Sequence, residues 1–238
     1  MVPNRYHGKL IVFEGIRGSG RRTQGALLNQ WLRAQGYATA FSDWTSSPMV
    51  KDAMKRGQAN RSFTPASFSL LQAADFADRM ESYILPLIKA GAVVCADGYI
   101  FAALAREAAR GVNRAWLRSL YGYALRPSLT FYFRVPMEAA ITRIHGEVID
   151  YYDAAMDLGL STDIHRSFRI FQERILAEYE NMAREMEFHI IDATLPVEEQ
   201  QRCMRQIVTL NLDEVLRRGV LRTQPRGSNG IAKAAAVL

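Results

Sequence analysis

A three-layer α/β/α fold with a parallel central sheet is the architecture this sequence predicts, and three observations predict it. Short apolar runs of strand length recur along the chain, separated by segments with helical spacing. The first run ends in a glycine-rich turn that leads straight into a helical pattern. No internal repeat interrupts the alternation.

Leu10 to Glu14 (LIVFE) reads as a buried parallel strand. A helix is expected from Arg22 to Gln35, with Ala26, Leu27, Trp31 and Leu32 on one face and Gly36 as its stop. Tyr37 to Ser42 reads as a strand, and Pro48 to Arg61 as a basic helix-and-loop region. Ser67 to Ala90 predicts one long helix kinked near Pro86. Ala92 to Ala96 (AVVCA), Leu129 to Val135 (LTFYFRV) and Phe188 to Asp192 (FHIID) are further core strands. Helices are expected at Phe101 to Arg110, Arg114 to Leu125, Met137 to Ile144, Asp163 to Glu187 and Val197 to Arg218. His145 to Thr162 is polar and aromatic, and its pattern fixes no path.

The 238 residues suit one domain, residues 1–222, followed by a mobile tail over 223–238 rich in Pro, Gly, Ser and Ala. No apolar stretch reaches the roughly 20 residues of a membrane-spanning helix. The polar start, Met1 to Lys9, shows no secretory pattern. Only Cys95 and Cys203 occur, which excludes a disulfide scaffold and a four-cysteine zinc site and leads to an expectation of a cytoplasmic setting. His7, His145, His165 and His189 lack metal-ligand spacing. The net charge of +6 invites a nucleic-acid partner, but the basic residues are spread among acids, so a basic pocket for small anions is the better reading.

Gly15-Ile-Arg-Gly-Ser-Gly-Arg-Arg-Thr23 carries the chemistry. Its glycine spacing, between a strand and a helix, is that of a P-loop, in which backbone N–H groups and a helix N-terminus cradle phosphate. Gly15, Gly18, Ser19, Gly20, Arg21, Arg22 and Thr23 are therefore the candidate nucleotide-binding residues. Arg21 stands where such loops place Lys, keeping the charge but changing the shape. Arg22 stands where a Ser or Thr gives its hydroxyl to Mg²⁺, and a cation there repels a metal. Thr23 lies one residue later. Phosphate binding survives these changes, whereas phosphoryl transfer is compromised.

Five blocks in order give the sequence a resemblance to the thymidylate kinases: FEGIRGSGRRTQ, LLQAADFADR, VVCADGYIFAALA, RPSLTFYFRVPMEAAITRI and IIDATLPVEEQ, running from about Lys9 to Ile207. The resemblance implies a P-loop NTPase fold, ATP as phosphoryl donor, a nucleoside monophosphate such as dTMP as acceptor, and pairing of subunits. It leaves Mg²⁺ open. The family's loop has Asp where Arg17 stands. Its Asp-Arg-Tyr becomes Asp97-Gly98-Tyr99, which keeps Asp97 as a partner for metal or acceptor and loses the arginine. The base-stacking Phe and the Arg four residues on become Gln72 and Phe76, with Arg79 one turn later. The Arg of the Thr-Arg-Glu-Pro segment corresponds to Ser46 or Ser47, and an acidic residue ending the third core strand to Arg134.

In the family a mobile segment before the long helix often supplies an arginine to ATP. Here Ile144 to Thr162 has no Lys or Arg and carries Glu147, Asp150, Asp153 and Asp157. Arg17 is a candidate to offset that missing charge from the loop side. Two functions remain open. One is a thymidylate kinase-like nucleotide kinase with impaired activity, using Arg21, Asp97 and Arg17 for chemistry and Gln72, Phe76, Arg79 and Tyr99 for the acceptor, with Thr23 and Asp97 as the candidate metal residues. The other is an inactive pseudokinase that binds nucleotide and acts through a partner, as a homodimer or a heterodimer with a paralogous kinase. A nucleic-acid-binding module is a weaker third.

Overall fold

The computed structural model describes residues 1–44 and 47–220, with side chains to Asn211. The expected tail, 223–238, and Ser46 lie outside the described residues. Five strands, β1 (Lys9–Glu14), β2 (Thr39–Asp43), β3 (Val93–Asp97), β4 (Leu129–Arg134) and β5 (His189–Asp192), form one sheet in the order β2-β3-β1-β4-β5. Every pairing is parallel. The helices are α1 (Arg21–Ala34), α2 (Lys51–Ala59), α3 (Pro65–Arg79), α4 (Leu85–Lys89), α5 (Ile100–Ala109), α6 (Arg114–Leu120), α7 (Met137–Arg143), α8 (Ile164–Glu185) and α9 (Val197–Val220). The chain thus has the α/β P-loop fold that the strand–helix alternation predicts. No helix among the described residues is long and apolar enough to cross a membrane.

Continuous apolar runs make β1 buried from Leu10 onward and β3 buried throughout, as strands covered on both faces must be. Phe13 stacks on Phe131 across β1 and β4, with ring centroids 6.0 Å apart. The inward face of α1 differs from the expected one. Gln24, Gly25, Leu28, Asn29 and Leu32 are buried, whereas Ala26, Leu27 and Trp31 are only partly so. The reason is Gly25: a Cβ there would lie 2.8 Å from the Phe13 ring, so the missing side chain lets the helix press onto β1. Trp31 instead packs under the Arg205 guanidinium, 5.6 Å from its ring centroid.

The expected single helix from Ser67 to Ala90 begins earlier and is broken. Thr64 caps α3, accepting from the Ser67 N–H at 3.2 Å, and Pro65 takes the first turn, where it needs no donor. Between α3 and α4, Met80–Ile84 forms a π-helical turn in which the Leu85 N–H donates to the Met80 carbonyl. This widened turn precedes Pro86, whose ring and missing N–H disfavour a regular helix at that point. The expected helix from Arg114 to Leu125 ends at Leu120 instead.

Gly25→Ala places a methyl against an aromatic ring with no room to move. We expect a loss of about 1–3 kcal/mol in stability, read from the urea midpoint at unchanged slope.

Candidate functional site

The central strand β1 lies between β3 and β4, with Phe13 opposite Asp97 and Glu14 opposite Tyr132. Chain segments leaving β1 and β3 therefore emerge side by side at the carboxyl edge, where open α/β sheets form their crevice. Gly15 has φ +152°, and a Cβ there would lie 2.7 Å from Ser19 Oγ and 3.0 Å from the Phe133 carbonyl oxygen. At Gly18, φ +82°, a Cβ would meet the Ala140 carbonyl oxygen at 2.4 Å. The loop is thus wedged between β4 and α7 and closes on itself through Ser19 N–H to the Ile16 carbonyl, 3.1 Å. Gly20 opens α1 in the left-handed conformation, and that first turn has neither a side-chain cap nor an acidic residue. Its N–H groups and dipole are left to an anion.

The loop arginines are all engaged. Arg21 Nε bonds Asp97 Oδ1 at 2.8 Å, and its Nη1 donates to the Gly15 carbonyl. Burial works against the Arg21 charge, but Asp97, Tyr179 and Glu14 more than restore it, so its pKa is raised. Arg22, largely exposed, pairs with Asp43 through Nη2 and Oδ2 at 2.8 Å. Thr23 is exposed on α1. Arg17 reaches across to the acidic segment, with Nη2 on Glu147 and Nη1 on Asp153, each at 2.8 Å, and Nη2 on the Val148 carbonyl at 3.2 Å.

That acidic segment is held as well as holding. Ile144, Ala154 and Phe168 form a small apolar cluster beneath it. Arg110, just past the end of α5, grips it, with Nη1 on Asp157 and Nη2 on the Tyr152 carbonyl, both at 2.6 Å. Its carboxylates therefore face guanidinium groups on two sides.

Among the acceptor candidates, Phe76 is fully buried between Trp44, Tyr99, Tyr121 and Tyr123. Tyr99 is buried too, its hydroxyl donating to the Leu125 carbonyl at 2.9 Å. Gln72 is half-buried on α3. Arg79 reaches Gly98, donating from Nη2 to its carbonyl at 3.1 Å. Arg134 forms a bidentate pair with Glu180 at 2.8 and 2.6 Å, on the surface. The structure thus gathers Gly15, Arg21, Asp97 and Arg79 around Gly98, sends Arg17 to the acidic segment, and leaves Thr23 apart.

Three site residues escape the sequence reading. Asp43 ends β2 and neutralises Arg22, and Trp44 carries the Arg79 guanidinium 4.7 Å above its ring. Glu14 is the third: fully buried, its Oε1 accepts from the Tyr99 N–H at 2.8 Å and its Oε2 from the Tyr179 hydroxyl at 2.7 Å. An acid closing an otherwise apolar strand was the available signal for it. Burial raises its pKa from 4.5 to about 7, against the opposing pull of Arg21, Tyr179 and Tyr99.

A glycine loop joining β1 to α1 at the switch point of a parallel sheet defines a P-loop nucleotide-binding protein. This chain belongs to the thymidylate kinase family, whose sequence model, described as Thymidylate kinase, matches residues 13–204, and this places it among the nucleoside monophosphate kinases. It is 37% identical over 214 residues to a probable thymidylate kinase 2 of Saccharolobus solfataricus, covering 88% of this chain and 99% of that protein. A thymidylate kinase of Thermomicrobium roseum is 30% identical over 216 residues, 88% of this chain and 96% of the relative. A probable thymidylate kinase of Thermococcus onnurineus is 29% identical, with 87% and 99% covered.

Glu14 sets a pH dependence of stability. Its folded pKa lies above the unfolded value, so its contribution is complete below about pH 4.5 and lost as pH rises through about 7. Relative to Glu14→Gln, the native chain should gain on the order of 3 kcal/mol between pH 7.5 and 4.5, measured by denaturant unfolding of both.

Proposed function

We propose that this chain binds ATP through the Gly15–Thr23 loop and transfers its γ-phosphoryl group slowly to a nucleoside monophosphate, dTMP or a related acceptor. The observation that carries the word slowly is the bond pair of Arg21. Its guanidinium ties Asp97 to the Gly15 carbonyl, so the cation at the usual lysine position and the carboxylate that ends β3 are spent on each other. Transfer in this class rests on positioning and charge neutralisation, and losing one electrostatic donor costs on the order of 10²–10³ in rate.

Mg²⁺ is the metal the family implies, and the residues here do not fit it. The hydroxyl position is Arg22, Thr23 is exposed a residue further on, and Asp97 is already held by Arg21. ATP binding should therefore rest on the loop N–H groups, the α1 N-terminus and Arg21, with little help from a protein-held metal.

The same ion pairs support a second reading, an inactive nucleotide-binding subunit that acts through a second copy or a paralogous kinase. Calorimetric titration of ATP with Mg²⁺ and with EDTA, beside an ADP-release assay with a panel of nucleoside monophosphates, separates them. Slow turnover on one acceptor upholds the kinase; binding without turnover on any acceptor replaces it with the inactive subunit. Arg21→Lys combined with Arg22→Ser should make ATP binding depend on Mg²⁺ and raise turnover at least about tenfold. Removing the carboxylates on Arg17, with Glu147→Gln and Asp153→Asn, should tighten ATP by up to about tenfold. Half-exposed ion pairs of this kind are each worth roughly 0–1 kcal/mol, and the change is read by the same titration.

A further inference from the structure

A buried cation beside the loop has needs that the protein does not meet. Arg79 closes α3 and is 8% exposed. Its Nη2 bonds the Gly98 carbonyl, and its guanidinium stacks on Trp44 at 4.7 Å and nears Phe76 at 5.6 Å. Its Nε and Nη1 are buried without a hydrogen-bond partner among the described residues. The nearby carboxylates are committed elsewhere: Asp97 to Arg21, Asp43 to Arg22, Asp75 to the Ser47 N–H and Asp78 to the Ser47 hydroxyl. Burial lowers the Arg79 pKa despite Asp75, Tyr99, Glu14 and Asp43 pulling the other way. A charge taken from water and left short of partners is costly, and an anion relieves the cost.

Room for an anion lies next to it. Arg79 lines a cavity of about 300 Å³, together with Ser42, Ser47, Tyr83 and two carboxylates, Asp43 and Asp78, the first paired with Arg22 and the second accepting from the Ser47 hydroxyl. Gly98, with φ +75°, has no side chain where a Cβ would sit 3.8 Å from Arg21 Nη2 and 3.9 Å from Trp44. The Nη2 of Arg21 and the guanidinium of Arg79 thus face the same residue from two elements, and a phosphate monoester is the ligand whose oxygens suit two such forks.

We propose that Arg79 binds the phosphate monoester of the acceptor in this chain. The assignment deepens the kinase reading and rests on it for the source of that phosphate. Arg79→Met keeps an apolar stem on Trp44 and removes the charge, while Arg79→Lys keeps the charge and loses the fork. Calorimetry without ATP would compare deoxythymidine monophosphate, deoxythymidine and inorganic phosphate on the three proteins. We expect Arg79→Met to lose at least tenfold in monophosphate affinity, Arg79→Lys to recover part of it, and the uncharged nucleoside to bind all three alike. Arg79-dependent binding of inorganic phosphate as tight as that of the mononucleotide would overturn the acceptor assignment and leave a site for free phosphate. Equal losses for nucleoside and monophosphate would show a structural arginine and overturn the proposal, as would monophosphate binding unmoved in Arg79→Met or absent from the native protein. Titrating ATP on the same samples keeps the two readings apart. ATP binding without Arg79-dependent monophosphate binding defeats this proposal alone, and the reverse pattern defeats the loop reading alone.

Discussion

Much of the site's geometry hangs on one guanidinium. Arg21 stands at the first position of α1, bonds the carboxylate that ends β3 and the carbonyl that follows β1, and so ties helix and both strands at one point. Behind it, Glu14 links the same edge to α8 through Tyr179 and to the turn after β3 through the Tyr99 N–H. The two networks share electrostatics. Arg21 pulls Glu14 toward ionisation while burial resists, and the Glu14 carboxyl helps hold the Arg21 charge. A lysine at position 21 would have a single ammonium and lack the fork that bridges two acceptors at once.

The loop's other charges follow from the same logic. An arginine in place of a small polar residue must find a partner, and Arg22 finds Asp43 at the end of β2 while Arg17 finds Glu147 and Asp153. The acidic segment in turn is seated on Ile144, Ala154 and Phe168 and gripped by Arg110. Its carboxylates are thus shared between Arg17 on the loop and Arg110 beside α5, so loop and segment are matched in charge.

The strands, their parallel direction and the glycine loop were legible because they rest on local rules: apolar runs of strand length, φ-demanding glycines, alternation with helices. The inward face of α1 was not, because it is set by Gly25 meeting Phe13 on another element. Nor was the use of Asp97, since spacing gave its place but not the guanidinium that bonds it. Phe76 shows a similar limit: its periodicity fits both core and a stacking surface, and four aromatic neighbours from three other parts of the chain enclose it. Glu14 depends on partners 85 and 165 residues away, beyond any sequence window.

The π-helical turn at Met80–Ile84 has a consequence for how this helix tolerates change in length. A π turn holds one residue more than an α turn, so the segments on either side are out of angular phase by about 100° relative to an uninterrupted helix. A chain without that residue can run the same path as plain α-helix, with Arg79 and α4 each keeping the face they have here. The turn is thus a place where a single-residue insertion or deletion is absorbed by winding rather than by loops. Fixed spacing counted through it misplaces every residue on its far side.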